Sequence, residues 1–389
     1  MNIALLGPAF RSDQKEANVI TLTSLARFFQ SRGHRAIIIS NREGSLPVHE
    51  ALDGGVHIYR PHRWLDIPIG QGINPLLVVN QILSPAMAVR TVQRQARLRF
   101  DILHGFSAAP ILAWREIIGH HLAPQAKLVH TIKSQSQYAV GSYRWSKALN
   151  RVDRVLVQNM VTKDHLMRGG VRPEKVQLMR SHINTEKFVT HPDKASLKKR
   201  YGYDRGPVIV YYGHLLAVKG VDRLVSIFAL VRSKYPTARL LVGWSGLGSR
   251  SDFDTLVGKQ GLSDAVDIIT DEIPIVDLVN LADVAVFPYP HLRSTEANPS
   301  CILECIACRV PVVTSRLPEL RELLQESRQV LMADSGNVQE YADQVVRLLA
   351  DQSLRQSITD AAHGILGDYR LDTIGDAHLE LYRNLMNRS

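Results

Sequence analysis

Residues 284–315, VAVFPYPHLRSTEANPSCILECIACRVPVVTS, decide how the chain is read. Val284 to Phe287 is a continuous apolar run stopped by Pro288 and Pro290, the pattern of a buried parallel strand that ends in a loop. After a polar stretch comes Asn298-Pro299 and an apolar, small-residue run. Asn at an N-cap and Pro at the first helical position predict a helix start there. The helix runs to about Cys308, Arg309-Val310-Pro311 ends it, and Pro-Val-Val-Thr-Ser is the next strand. The unit is strand-loop-helix-strand, with Glu296 in the loop and Glu304 in the second helical turn.

A loop at the C-terminal end of a parallel strand, leading into a helix N-terminus, is where α/β sheets hold ligands. The first helical turn offers unbonded N–H groups and the positive end of the helix dipole, so it attracts phosphate. A carboxylate beside phosphate is repelled by it and is better suited to accept hydrogen bonds from hydroxyls. Two carboxylates at an anion site therefore imply a ligand both hydroxylated and phosphorylated, such as a sugar nucleotide. The spacing alone leaves equally open that Glu296 is a solvated loop residue and Glu304 a capping or salt-bridged one.

Outward from this stretch, the whole chain alternates strands and helices. In the first half the expected strands are Ile3–Leu6, Ala36–Ile39, Val56–Tyr59, Ile102–His104, Lys127–Ile132 and Val155–Gln158. Helices fall at Ala17–Arg32 and near 74–98, 107–120 and 160–168. The polar, aperiodic stretch Arg180 to Lys198 reads as an interdomain linker. Alternation then restarts, with strands Val208–Tyr212, Arg239–Val242 and Val266–Ile269 and helices Val221–Lys234, Asp252–Gln260 and Ile275–Leu281. Helices Val338–Asp351, Ser353–Leu366 and Leu371–Met386 close the chain. The pattern predicts two doubly wound parallel sheets. At 389 residues the chain is too long for one ordinary core. Two such domains would place a cleft between them, a favoured ligand site. No G-x-G-x-x-G or P-loop stands in the first strand-helix turn, which excludes the usual dinucleotide and NTPase fingerprints.

Composition narrows the class. With 45% hydrophobic and 22% charged residues, the chain is an ordinary globular protein. MNIALLGPAF reads as a first strand and not as a signal peptide. The apolar segment Leu76 to Val89 is too interrupted to span a bilayer. The three cysteines, Cys301, Cys305 and Cys308, lie on one helix face and cannot form a disulfide framework, which fits a reducing cytoplasm. They read as small buried packing residues more readily than as a metal site. Residues 1–187 carry 25 Lys+Arg against 12 Asp+Glu, a net of +13, and the remainder nets −3. A basic N-terminal half suggests an anionic partner: a lipid surface, a phosphorylated acceptor or nucleic acid. Arg90, Arg94, Arg97 and Arg99 fit either an interfacial amphipathic helix or the exposed face of a core helix. No interleaved aromatic and basic pattern supports nucleic-acid binding.

Several segments together resemble one family, the retaining GT-B glycosyltransferases of family four, the glycogen-synthase-like and sucrose-synthase-like group. YYGHLLAVKGVDRLV (211–225) is similar to its Gly-Arg-Leu-x-x-x-Lys-Gly segment, and LLVGWSGLGS (240–249) to its strand and glycine loop. ADVAVFPY (282–289) followed by Glu296 and Glu304 resembles its E-x7-E motif. SHINTEKF (181–188) resembles the hinge phrase N-G-V-D-x-x-x-F. The resemblance covers essentially the whole chain. It implies the GT-B architecture, two doubly wound Rossmann-like domains facing across a cleft. The first, acceptor-side domain would span 1–182, with helix 371–389 packing back on it, and the donor-binding domain 190–368.

The implied activity is hexosyl transfer, retaining and metal-independent, from a nucleoside-diphosphate sugar to a glycan, lipid-linked or small-molecule hydroxyl in cell-surface polysaccharide or glycolipid synthesis. Lys219 would clamp the diphosphate, and Glu296 would face the donor sugar hydroxyls. Glu304 would take the ribose hydroxyls, with His214 and Gly213 beside the phosphates. Backbone N–H groups of Ala297, Asn298 and Ser300 would touch sugar or phosphate. The reaction is expected on one face of the sugar, the leaving phosphate accepting the acceptor's proton, so the two glutamates are binders and not an acid–base pair. No cofactor and no metal are implied, since Lys219 and the helix dipole can serve in place of Mg2+. The expected location is cytoplasmic, with peripheral inner-membrane contact through the basic N-terminal domain.

Three departures stand out. The family's Arg in the Gly-Arg-Leu segment is His214. The histidine that follows the strand KLVHTI (127–132) and faces the donor sugar is Lys133, placed here with the catalytic residues. RSDQKEAN (11–18) replaces the usual glycine pair. His104, in DILHGF, resembles a further strand-end histidine and suits packing equally well. Two other classes stay open: a sugar-nucleotide epimerase of the same fold, and a catalytically weak anion-binding partner subunit.

Overall fold

The computed structural model describes residues 1–7, 17–42, 46–60, 75–107, 109–133, 143–292 and 298–387, with the backbone alone for 17–18, 75–79 and 143–145. The chain divides into two compact units, Met1–His182 with Leu371–Ser389, and Ile183–Arg370.

The first unit runs β1 (Asn2–Leu6), α1 (Ala17–Ser31), β2 (Arg35–Ile39), β3 (His49–Leu52), β4 (Val56–Tyr59), α2 (Pro75–Gln95), β5 (Ile102–Ser107), α3 (Trp114–His120), β6 (Lys127–Ile132), α4 (Tyr143–Leu149), β7 (Arg154–Val157), α5 (Met160–Arg168) and β8 (Val176–Leu178). Its sheet has the order β3-β4-β2-β1-β5-β6-β7-β8. Every pairing is parallel except the β3–β4 edge. The strands read as apolar runs because both faces are covered; Ile3, Leu5, Leu103 and Val129 are fully buried. The arginines of the α2 region, Arg90, Arg94, Arg97 and Arg99, are exposed while Ala88, Val89 and Val92 are buried, so this is a core helix with a solvated face.

The second unit runs α6 (Lys194–Tyr201), β9 (Val208–Leu215), α7 (Val221–Lys234), β10 (Arg239–Gly248), α8 (Arg250–Lys259), β11 (Val266–Ile269), α9 (Ile275–Leu281), β12 (Val284–Phe287), α10 (Ser300–Ala307), β13 (Val312–Ser315), α11 (Pro318–Leu323), β14 (Leu331–Ala333), α12 (Val338–Ala350) and α13 (Gln352–His363). Its six strands are all parallel, in the order β11-β10-β9-β12-β13-β14. Renumbered within the unit this is 3-2-1-4-5-6, the dinucleotide-fold order, and the strand order reverses between β9 and β12. All four residues of β12 are fully buried, each larger side chain contributing about 1.5–3 kcal/mol of transfer free energy. The last helix, α14 (Leu371–Met386), belongs to the first unit, where Tyr382 meets Phe29 of α1 edge-to-face at 5.8 Å.

The elements depart from expectation in identifiable ways. The Arg180–Lys198 stretch holds the boundary between the two units, after His182, and most of it is built into the second. Ile183 and Phe188 are buried in the second unit's core, Asn184 Oδ1 accepts from the amides of Glu186 and Lys187, and Asp193 caps α6. Strand β5 continues to Ser107, and a 3-10 turn, Pro110–Ala113, precedes α3, so the helix expected from 107 starts later. Gly105 permits this extension. A Cβ there would sit 1.5 Å from Glu116 Oε1, so only glycine leaves room for that buried carboxylate. Helix α10 begins at Ser300 with Pro299 in the cap position, and Asn298 before it is buried.

Candidate functional site

Strands β9 and β12 pair at Val284–Ile209 and Ala285–Val210. Everything that leaves their C-terminal ends therefore meets at the point where the sheet order reverses, the place where open α/β sheets bind ligands. From β9 come Gly213 and His214, then a 3-10 turn, Ala217–Lys219, then α7. From β12 come Pro288, Tyr289 and the path to α10.

The turn holding Lys219 is built by Gly220. Its φ of +76° is the left-handed conformation that glycine tolerates, and a Cβ would lie 1.9 Å from the Pro288 carbonyl oxygen. The two segments thus touch through backbone. Lys219 Nζ lies 5.7 Å from the centroid of the Tyr289 ring, over its face. Tyr289 is itself fixed, stacked on Phe287 at 6.3 Å and hydrogen-bonded to Cys301 Sγ at 3.1 Å.

His214 Nδ1 shares a hydrogen bond of 2.7 Å with Ser245 Oγ on β10, and its carbonyl accepts from the Tyr211 hydroxyl at 2.8 Å. Burial, and then the Lys219 charge, hold its pKa below the usual histidine value, so the ring is neutral at pH 7. The arrangement places a second donor, switchable by protonation, beside Lys219.

Glu304 is half-buried on α10. The Tyr212 hydroxyl lies 2.7 Å from its Oε2 and 2.9 Å from the Cys301 carbonyl, so its one proton is shared between two acceptors. Burial, and then the Glu304 charge, push the Tyr212 pKa well above its ordinary value, so the phenol stays a donor. Ser300 opens α10, whose first-turn amides have no acceptor within the helix. Gly213, His214, Lys219, Asn298, Ser300 and Glu304 accordingly stand around one strand-order reversal. Glu296 and Ala297 lie outside the described residues. Cys305 and Cys308 are buried and all three cysteines are free. No group of three or more His, Cys, Asp or Glu suited to a metal occurs among the described residues.

Lys133 belongs to the first unit, immediately after β6 and 4% exposed, with Nζ donating to Thr21 Oγ1 at 3.0 Å. Its backbone N–H bonds the Ser107 carbonyl at 2.8 Å. His104 is fully buried between the Tyr382 hydroxyl at 2.6 Å and Thr131 Oγ1 at 2.7 Å, a packing role. Beneath it, His130 bridges Ser107 Oγ and Glu116 Oε2, both at 2.9 Å, and Arg115 pairs with Glu116 at 2.9 Å. Sequence reasoning missed Tyr212, Ser245, Tyr289 and Gly220. Gly220 and Tyr212 lie inside the segment 211–225 that carried the resemblance, and their adjacency to Lys219 and Gly213 was the available signal.

Two family models match side by side: Glycosyltransferase Family 4 over residues 19–187 and Glycosyl transferases group 1 over residues 193–364. Among curated relatives, the alpha-D-kanosaminyltransferase of Streptomyces kanamyceticus is 26% identical over 251 residues, 62% of this chain and 64% of that one. The N-acetyl-alpha-D-glucosaminyl L-malate synthase of Bacillus anthracis is 22% identical over 314 residues, 77% and 79% of the two chains. The first match thus spans somewhat less than two thirds of its relative's length. Among solved structures, sucrose-phosphate synthase from Thermosynechococcus elongatus superposes with a TM-score of 0.80 at 17% identity, covering both chains completely. HepE from Anabaena, in complex with UDP and glucose, gives 0.76 at 17% identity over 98% of this chain and 99% of that one. These structures share the two-sheet GT-B fold with this chain.

Proposed function

The chain belongs to the family-four glycosyltransferases of GT-B fold, and on that premise we propose that it moves a sugar from a nucleoside-diphosphate donor to a hydroxyl acceptor with retention of configuration. The observation that carries the reading is the meeting of Lys219, His214, Glu304 and the α10 N-terminus where the strand order reverses. That set supplies a fixed cation, a protonatable donor and a row of amides for a diphosphate, and a carboxylate for ribose hydroxyls. HepE, at 17% identity, is recorded with UDP and with UDP-glucose, which supports a nucleotide-sugar donor for this fold.

In the proposed reaction the diphosphate leaves from the sugar's anomeric carbon as the acceptor oxygen approaches the same face. A leaving-group oxygen takes the acceptor's proton, so atoms and charge balance without an enzymic base. Lys219 and the first-turn amides of α10 stabilise the charge that develops on the leaving phosphate. His214 gains a proton as that charge builds beside it. Glu296 holds donor hydroxyls and Glu304 the ribose, each fixing position and not transferring protons. The set requires no metal. The acceptor is a glycan, lipid-linked or small-molecule hydroxyl in cell-surface polysaccharide or glycolipid synthesis, and the basic first half suits an anionic acceptor or membrane surface.

The experiment is turnover of purified wild type, Lys219→Ala and Glu296→Ala with a donor panel, with thermal melts alongside. Both variants are expected to lose at least about a hundredfold in turnover, the scale of removing one preorganised charge-stabilising group, with unchanged melting. The product's anomeric proton coupling should match the donor's configuration. Full turnover in either variant, or an inverted product, would overturn the assignment.

A further inference from the structure

Strands β9 and β10 pair in register as far as Gly213–Trp244 and resume at Leu215–Gly248. Between those pairs β9 supplies one residue, His214, and β10 supplies three, Ser245, Gly246 and Leu247. The excess is a bulge, closed by the Trp244 indole N–H, which donates to the Leu247 carbonyl at 2.9 Å. Bulges re-aim side chains. This one lays the exposed Ser245 hydroxyl against His214 Nδ1 at 2.7 Å. Among the described residues that contact is the one hydrogen bond of either side chain. His214 Nε2 makes none, and it is not sealed from solvent.

The surroundings of the ring are simple. Lys219, from the turn after β9, is the charge that acts on it among the described residues. The Tyr211 hydroxyl goes to the His214 carbonyl, and the Tyr212 hydroxyl to Glu304 and the Cys301 carbonyl. A neutral imidazole carries one proton, and the nitrogen that holds it is set by the partner of the other. A serine hydroxyl can donate to Nδ1, which leaves the proton on Nε2. It can equally rotate and accept from Nδ1, which a charged ring requires. Ionised phosphate oxygens only accept, so a histidine that serves them must present a proton in both states.

We propose that Ser245 is a positioning residue for the nucleotide diphosphate: it donates to Nδ1 and so holds the His214 proton on Nε2, then turns to accept from Nδ1 when the ring charges beside the phosphates. The inference rests on the donor-site reading and deepens it. Ser245 supplies what a lone histidine lacks, a fixed tautomer in the free protein and a satisfied second N–H in the charged one. In the free protein burial, then Lys219, hold the ring below the ordinary histidine pKa, and a phosphate raises it. An imidazolium N–H left without an acceptor in a half-buried place is costly, so the hydroxyl enlarges that rise. The ring takes up a proton as the donor binds, and affinity weakens as pH climbs through the bound-state pKa. Without Ser245 that loss begins at lower pH.

The test is nitrogen-15 NMR of the histidine-labelled full chain, with His214→Asn assigning the resonances. Without nucleotide at pH 8, wild type and Ser245→Thr should show Nδ1 bare and Nε2 protonated, and Ser245→Ala a mixture of both tautomers. The diphosphates of uridine, guanosine, adenosine and thymidine are then added in turn. With one that binds, the His214 midpoint should rise about half a unit less in Ser245→Ala than in wild type, and affinity at pH 7 should fall about threefold. Ser245→Thr should restore both. A serine that merely closes the bulge would leave the tautomer unchanged. A proton on Nδ1 in wild type, or an unaltered tautomer and midpoint in Ser245→Ala, overturns the proposal. If none of the four diphosphates binds, the donor reading fails, while the nucleotide-free tautomer still decides what Ser245 does to the ring.

Discussion

At the site, His214 stands where the resembled Gly-Arg-Leu motif has an arginine, and the exchange has a measurable consequence. A guanidinium is charged at every accessible pH, whereas His214 is neutral in the free protein because burial and Lys219 depress its pKa. A diphosphate reverses that preference, so donor binding should take up a proton, and affinity should weaken as pH rises through the bound-state pKa. Calorimetry in two buffers of different ionisation enthalpy should show proton uptake near pH 7 in wild type and none in His214→Asn. Equal heats in both buffers for wild type would remove His214 from the phosphate site. Lys219 and His214 were expected at the site from the family resemblance alone, and Glu304 also from its place in an apolar helix after a buried strand. Tyr212 was not legible. A tyrosine in a strand reads as core, and its hydroxyl meets Glu304 from 92 positions away, a pairing that exists only once β9 and β12 lie adjacent.

Among the elements, strands with mostly apolar side chains followed from the pattern even at four residues, as in β4, β11 and β12, and polar or shorter ones did not. β3 is polar and only partly buried, and β8 and β14 have three residues each, too few for a pattern to rise above loop composition. Helix α6 was hidden by its polarity, since only Leu197 is buried. The start of α10 was misplaced by one residue because Asn298 takes a buried position and leaves the cap to Pro299. The turn at Gly220 is the element on which the donor site most depends. Gly220→Ala should cost about 1–3 kcal/mol, from its left-handed φ and the 1.9 Å approach to Pro288. Because the strain displaces Lys219, nucleotide affinity should drop by more than tenfold, read by calorimetry beside a melt. Retained affinity in a destabilised variant would show that the turn serves folding alone.

For the whole molecule, two doubly wound units were readable from the β-α alternation, and the return of α14 to the first unit was an expectation of the resemblance. No described helix is long and apolar enough to cross a membrane. The first unit carries an acid sensitivity set by its buried histidines. Burial, followed by Lys133 and His378, lowers the His182 pKa to about 3; burial and then Lys133 bring that of His378 to about 4, despite a hydrogen bond to the Ile374 carbonyl that opposes the shift. His104 is held well below the ordinary value. These rings are neutral when folded and take protons on unfolding below about 6.5. Their stability contribution is complete above that pH and is lost as pH falls toward 4, at up to about 1.4 kcal/mol per unit for each ring. Glu116 works in the same direction at lower pH. Burial raises its pKa, but Arg115 and His130 outweigh that and lower it. Melts followed by circular dichroism should show a marked loss of stability between pH 7 and 5, with a smaller pH slope in His378→Gln. A flat profile would mean that the histidines are solvated.

The donor site itself is tested most directly by isothermal titration of wild type, Lys219→Ala and Glu304→Gln against the diphosphates of uridine, guanosine, adenosine and thymidine. At least one nucleotide should bind wild type in the micromolar range. It should bind Lys219→Ala at least tenfold more weakly, as expected for loss of a charged hydrogen-bonding partner, and should also weaken in Glu304→Gln. No binding by any of the four, or affinity unchanged by both substitutions, would contradict a donor site at the β9–β12 reversal.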